Sequence, residues 1–202
     1  MAEIDKTIQA LEKNNIKSFF VKNKDQAREL VLSIINKDDI VGTGGSLTLD
    51  QCGIRDELRK EYNFLDWFKQ NISEDERQEI LRKTLTCDTF LTGSNAVTED
   101  GKLFNVDGRG NRVSAMTFGP KKVIIVVGKN KIVKNLEEAR QRVRNIAAPL
   151  NTKRLGKKTP CVKTGKCMDC SSPDRICRQT LIQEQQKPGR MNLIIVDEDL
   201  GY

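Results

Sequence analysis

Apolar positions along this chain recur with two different periods, and stretches of the two periods alternate. Residues 3 to 13 and "KDQARELVLSIIN" at 24 to 36 set apolar side chains three and four apart, which predicts two amphipathic helices. Between them "IKSFFVKN" reads as a strand, and "DDIVGTGGSLTLDQCG" as a short strand that ends in a glycine-rich turn and opens a helix. "EYNFLDWF" predicts a strand with a turn, and "SEDERQEILRKTL" a helix capped by Ser73 with Glu76 three residues on. The stretch "TFLTGSNAVTEDGKLFNVDGRGNR" is dense in Gly, Asn and Asp, as expected of strand ends joined by tight turns. A helical piece at 112 to 118 follows, then the buried strand "KKVIIVVG" and the helix "NLEEARQRVRNIAAPL", whose end is expected at Pro149. "MNLIIVDEDLGY" holds a last buried strand.

Strands that alternate with helices predict an α/β fold with a mainly parallel sheet flanked by helices. Only residues 151 to 180 break the alternation, as a loop-rich, Cys-rich insert before the last strand. At 202 residues the chain suits one domain, 1–202, with the insert inside it.

Composition narrows the setting. The longest apolar run, "VIIVV", is far below the roughly 20 residues that span a bilayer. "MAEIDKTIQALEKNN" lacks the apolar region of a signal peptide, so the expected location is the cytoplasm, with no membrane span. The net charge of +7 is uneven, because residues 140 to 190 hold 13 Lys and Arg against 3 Asp and Glu. Such a segment fits nucleic acid, an acidic substrate or a negative cluster that needs compensation. Aromatic residues are only 5%, which argues against a stacking platform and makes nucleic acid an unlikely partner. The chain has no histidine, so acid and base chemistry falls to carboxylates, lysines, tyrosines or thiols.

Two loops carry candidate chemistry. In "VGTGGSLT", Gly42, Thr43, Gly44, Gly45, Ser46 and Thr48 join an apolar run to a helix, where free N–H groups attract phosphate or carboxylate. The loop matches neither G-x-G-x-x-G nor the P-loop, and a tight strand-to-helix turn explains it equally. The second loop gathers Asn95, Glu99, Asp100, Asn105, Asp107, Arg109 and Arg112. Glu99, Asp100 and Asp107 are acid or base candidates if burial raises a pKa, and the arginines are candidate anion grips. Hairpin turns alone would also explain "EDG" and "VDG". Cys52 and Cys87 read as small buried hydrophobes.

Cys161, Cys167, Cys170 and Cys177 are spaced C-x5-C-x2-C-x6-C. The central pair suits two thiolates on one metal, and the outer two lie near enough in sequence to complete a tetrahedral set. Lys163, Lys166, Arg175 and Arg178 would offset the thiolate charge. An iron–sulfur cluster of the 4Fe–4S type is the expected cofactor, with zinc or free thiols as alternatives.

With these motifs in place the chain resembles the LUD domain, the family of lactate utilisation protein C. The resemblance is carried by "GTGGSLTL", "TGSNAVTEDGKLFNVDGRGNRVSAMTFGPKKVIIVVGKNKIV", "RNIAAPLNTKRL", "TPCVKTGKCMDCSSPDRIC" and "MNLIIVDEDLGY". It implies a fold like that of ribose-5-phosphate isomerase, glucosamine-6-phosphate deaminase and the CoA transferases, with ligands at the carboxyl ends of the strands. "GSNAVTEDGKLFNVDG" also resembles the "GADAVTPDGGVVNKIG" pattern of methylthioribose-phosphate isomerases. There the Asp is catalytic and here Asn95 takes its place, and an amide is no general base. The resemblance implies a redox-linked component of L-lactate oxidation to pyruvate, beside iron–sulfur oxidoreductase partners and acting on a small anionic carboxylate. The alternatives are an isomerase or transferase of phosphorylated or CoA-linked metabolites, or a regulatory protein that kept the fold.

Overall fold

The computed structural model of the chain describes residues 2–202. Its elements run α1 (Ala2–Lys13), β1 (Ile16–Val21), α2 (Lys24–Ile34), β2 (Ile40–Thr43), α3 (Leu47–Gln51), α4 (Ile54–Glu61), β3 (Asn63–Leu65), α5 (Glu74–Lys83), β4 (Thr89–Thr92), β5 (Ala96–Thr98) and β6 (Leu103–Asp107). They continue with α6 (Asn111–Thr117), β7 (Lys122–Gly128), β8 (Ile132–Val133), α7 (Leu136–Arg142), α8 (Ala148–Arg154), α9 (Pro160–Thr164), β9 (Gln179–Gln183) and β10 (Met191–Val196). Side chains of Asn23, Ser46, Ser73 and Asn135 start helices by accepting a hydrogen bond from the backbone N–H three residues on. At α5 Glu76 completes the capping box by accepting from the Ser73 N–H at 2.7 Å, as the sequence predicts.

Six strands form a parallel sheet in the order β1-β10-β7-β4-β2-β3. The inner strands β7 and β10 are mostly apolar, with runs at 123–127 and 193–196, because both faces of the sheet are covered. Val123, Ile125 and Val127 join Leu11 of α1, Met116 of α6 and Leu103 of β6 in one core. Ile124 and Val126 join Val31, Leu49 and Leu58 of α2, α3 and α4 in the other. Each fully buried aliphatic side chain contributes about 1.5–3 kcal/mol relative to exposure, so this strand pair carries much of the stability. Among the described residues no helix is long and apolar enough to cross a membrane.

A second sheet, β8-β5-β6-β9, covers one face of the first. β5 and β6 pair antiparallel, β8 joins β5 in parallel, and β9 joins β6 antiparallel. Alternation splits its side chains: Val97 and Leu103 enter the main core, while Ala96 and Phe104 pack on Ala139 and Val143.

Two expectations change. Pro149 does not end its helix, which runs on to Arg154 through a π turn at Val143–Ala147. The wide turn, in which the Ala148 N–H donates to Val143 O, restarts the helix and leaves Pro149 in a first turn, where its missing N–H does no harm. The insert is not loop throughout either. It contains α9, leads directly into β9, and is stitched to the domain by two backbone bonds, Cys167 N–H to Arg144 O at 2.8 Å and Arg178 N–H to Asp107 O at 2.9 Å.

Candidate functional site

The carboxyl ends of four parallel strands converge. β2 leads into Gly44 to Ser46, β4 into Gly93 to Asn95, β7 into Lys131, and β10 into residues 197 to 202. With α6, the helix of α7 and α8, and the insert, they enclose a cleft of ≈ 550 Å³ at the edge where open α/β sheets bind ligands. A hollow of ≈ 710 Å³ beside β3 offers less, since its Arg59 is already paired with Asp56 and Asp66.

Arg55, in the first turn of α4, holds the glycine turn. Its guanidinium, 3% exposed, donates to Gly44 O at 2.9 Å and Ser46 O at 3.2 Å, pairs with Asp50 and lies 4.0 Å over the Phe68 ring. Gly42 and Gly44 serve packing: a Cβ would stand 3.0 Å from Thr84 Cβ at the first and 2.9 Å from Arg112 Cδ at the second. Gly45 and Ser46 line the cleft. Thr43 is buried, its carbonyl accepts from Trp67 Nε1 at 2.8 Å, and its Oγ1 has no partner.

Arg112 lies at the centre of a polar knot. Its Nη1 donates to Gly93 O at 3.2 Å and Asn105 Oδ1 at 2.6 Å, and its Nη2 to Asn95 Oδ1 at 3.1 Å and Val106 O at 2.9 Å. Asp107 stands 3.8 Å from its Nε and accepts from the Arg112 backbone N–H at 3.2 Å. The side chain at 112 therefore braces the β4–β5 loop against β6, and its donors are already spent on protein acceptors. Asn95 Oδ1 also accepts from the Val106 N–H at 2.8 Å, so this amide orients backbone. Asn105 is fully buried and leaves its Nδ2 without an acceptor.

The three candidate acids separate. Asp107 lines the cleft. Glu99 and Asp100 sit in the β5–β6 hairpin, which packs on α1 and not on the cleft. A Cβ at Gly101 would meet the Ala10 carbonyl carbon at 2.5 Å, and Glu99 pairs with Lys6 at 2.8 Å. The Lys6 hydrogen bond holds the Glu99 carboxyl below its ordinary range, which suits a surface ion pair and not a proton donor. Arg109 stands at the cleft rim, half exposed, 3.4 Å from Glu74.

Lys131 is the residue that sequence reading misses. It is 5% exposed, lines the cleft, and donates to Thr48 Oγ1 at 3.0 Å. Burial, with Arg142 and Arg112 nearby, pushes its ammonium down to about 7. The only sequence signal is its place directly after a buried strand, in "GKNK".

Among the described residues, four cleft cations, Lys131, Arg154, Lys157 and Arg178, make no ion pair with a carboxylate. The insert supplies one wall through Pro173 to Arg178, and a Cβ at Gly108 would stand 3.0 Å from Ile176 O. Arg175 organises that wall by donating to Cys170 O at 2.6 Å and Cys177 O at 2.9 Å. The four insert cysteines are free, partly exposed thiols. Burial pushes the Cys177 thiol up, so beside Arg175 it stays a thiol. Among the described residues no three Cys, Asp or Glu side chains stand close enough to hold one metal ion. As they stand, Cys161, Cys167, Cys170 and Cys177 do not fit an iron–sulfur cluster or a zinc site. Burial pushes Cys52 up to about 11 and Cys87 up to about 12, which leaves both inert in the core.

The sequence model of the LUD domain matches residues 4–196. A crystal structure of a DUF162 family protein from Deinococcus radiodurans is similar in fold, with a TM-score of 0.58 at 14% identity over 96% of each chain. No curated protein matches the sequence.

Proposed function

The chain belongs to the LUD domain family, which is associated with lactate utilisation, and from that premise we propose that its cleft binds a small 2-hydroxy or 2-oxo carboxylate as one component of L-lactate oxidation. The carrying observation is the set of unpaired cations, Lys131, Arg154, Lys157 and Arg178, on the walls of one cleft. Lys131 is buried, while Arg154, Lys157 and Arg178 are exposed on the cleft walls; cations gathered on one cleft without carboxylate partners raise the local concentration of anionic solutes there. Asp107 is the acid or base candidate that lines the same cleft. The cleft of ≈ 550 Å³ exceeds the volume of a three-carbon acid, and that favours a second reading, a phosphorylated metabolite held by the same cations.

The test is a thermal-shift and calorimetric panel of L-lactate, pyruvate, glyoxylate, sugar phosphates and CoA thioesters. L-lactate or pyruvate is expected to raise Tm, and the Arg154→Ala, Lys157→Ala double variant is expected to weaken that ligand at least tenfold. A Tm unmoved by every anion would sink the reading, and a response confined to sugar phosphates would replace it by the second. The redox part stands on the family association alone. Anaerobic reconstitution with iron and sulfide tests it separately: brown colour that Cys170→Ser abolishes supports an insert that closes on a cluster, and a colourless product removes the cluster from the proposal.

A further inference from the structure

Lys131 is a buried base with no acid beside it. Burying an ammonium is unfavourable unless a counter-ion or several acceptors compensate, and here the one acceptor is Thr48 Oγ1. The surroundings sharpen the deficit. From α6 and α7 the nearby ionisable groups are the guanidinium groups of Arg112 and Arg142, themselves 7% exposed each. From the end of α3 it is Cys52, whose thiol is neutral near pH 7. From the last segment Gly201 closes in, where an added Cβ would lie 2.9 Å from Lys131 Nζ and 2.6 Å from Thr48 Oγ1. Arg112 has Asp107 3.8 Å from its Nε, but among the described residues no carboxylate pairs with Lys131, whose charged neighbours are the two guanidinium groups.

Resting on the reading of the cleft as a carboxylate site, we propose that Lys131 is a proton-coupled anchor: it takes up a proton as the carboxylate of a 2-hydroxy or 2-oxo acid binds against it. Burial holds the Lys131 ammonium down at about 7, so near neutral pH part of the amine is unprotonated in the free protein. A bound carboxylate supplies the missing counter-charge and raises that value, so binding draws in a proton. Thr48, buried and hydrogen-bonded to Nζ, fixes where the amine points. The sign follows directly. Below about pH 7 the anchor is already charged and affinity is flat; above it, each bound anion requires a proton from solvent, and affinity falls by up to about tenfold per pH unit. The carboxylate, with a pKa near 4, keeps its charge throughout this range.

Calorimetry of the full chain with pyruvate, in two buffers of different ionisation enthalpy between pH 6 and 8.5, reads the coupling. The expected result is net proton uptake on binding near and above neutral pH, with affinity weakening as pH rises. Lys131→Met, similar in length and free of the buried charge, is expected to fold and to bind pyruvate at least tenfold more weakly. Lys131→Arg, charged at every pH used, is expected to bind without the pH dependence. Wild-type binding that takes up no proton and is flat from pH 6 to 8.5 would overturn the anchor and leave the cleft reading standing, as would wild-type affinity in Lys131→Met. Failure of the wild-type protein to bind pyruvate, L-lactate or glyoxylate at any pH overturns the carboxylate reading itself, and the anchor falls with it.

Discussion

Arg112→Met is expected to lose roughly 3–5 kcal/mol of stability, the range for removing one partner from a buried charged network. The guanidinium holds Gly93 O, Asn95 Oδ1, Asn105 Oδ1 and Val106 O together at 2.6–3.2 Å. Methionine fills much of the volume but satisfies none of these acceptors, and each buried orphan costs about 1–3 kcal/mol. Arg112→Lys keeps the charge yet replaces a planar fork by one point donor, so it is expected to recover only part of the loss. Urea denaturation of the three proteins measures this. A loss below about 1 kcal/mol for Arg112→Met would mean that water re-satisfies the knot and that the brace is unnecessary.

Gly128→Ala is expected to cost about 2–3 kcal/mol, in the range of overpacked cores, and to weaken any ligand of the cleft as well. The backbone of Gly128 has φ −75, so alanine is conformationally acceptable and the penalty is steric. Its Cβ would lie 2.4 Å from Leu200 N and 2.5 Å from both Glu198 O and Asn130 Oδ1. Two of those atoms are backbone of the segment that brings Gly201 and Tyr202 to the cleft, and the third precedes Lys131. Relief of the clash must therefore move the floor of the site. Gly156→Ala is the control: φ is +64 but nothing lies within 4 Å, so only the roughly 1–2 kcal/mol of a left-handed residue is expected. Equal Tm values for Gly128→Ala and the unsubstituted protein would show that the last segment shifts freely and does not fix the site.

The main sheet was legible because its inner strands β7 and β10 are apolar runs and its helices carry a clear period. "VIIVV" and "NLIIV" are buried on both faces, and Ser73 with Glu76 announces its helix start in two letters. The second sheet was not legible, because β5 has three residues and β8 two, too few to show alternation among turn residues. Of the acids, sequence weighted Glu99, Asp100 and Asp107 alike; the hairpin then sent the first two toward α1 and the third into the cleft. Arg112 was singled out as an anion grip, but its fork is committed to the protein. Lys131 and Arg55 look like surface charges in sequence, and only tertiary burial makes them otherwise. The cysteine spacing promised a ligand set, and the fold uses that segment as a cleft wall.

The pairing of β1 with β10 has a consequence for synthesis. β1 is made well before its partner, Met191–Val196, and β10 also stands between β1 and β7 in the sheet. Until that strand leaves the ribosome, Ile16–Val21 and one edge of β7 have no neighbour, and the segment that carries Gly201 to Lys131 does not exist. Unpaired apolar edges of this kind are where nascent chains aggregate or recruit chaperones. A ribosome-stalled chain that ends before Met191 therefore lacks both the strand between β1 and β7 and the segment that brings Gly201 to Lys131, and is expected not to bind the ligand proposed for the cleft.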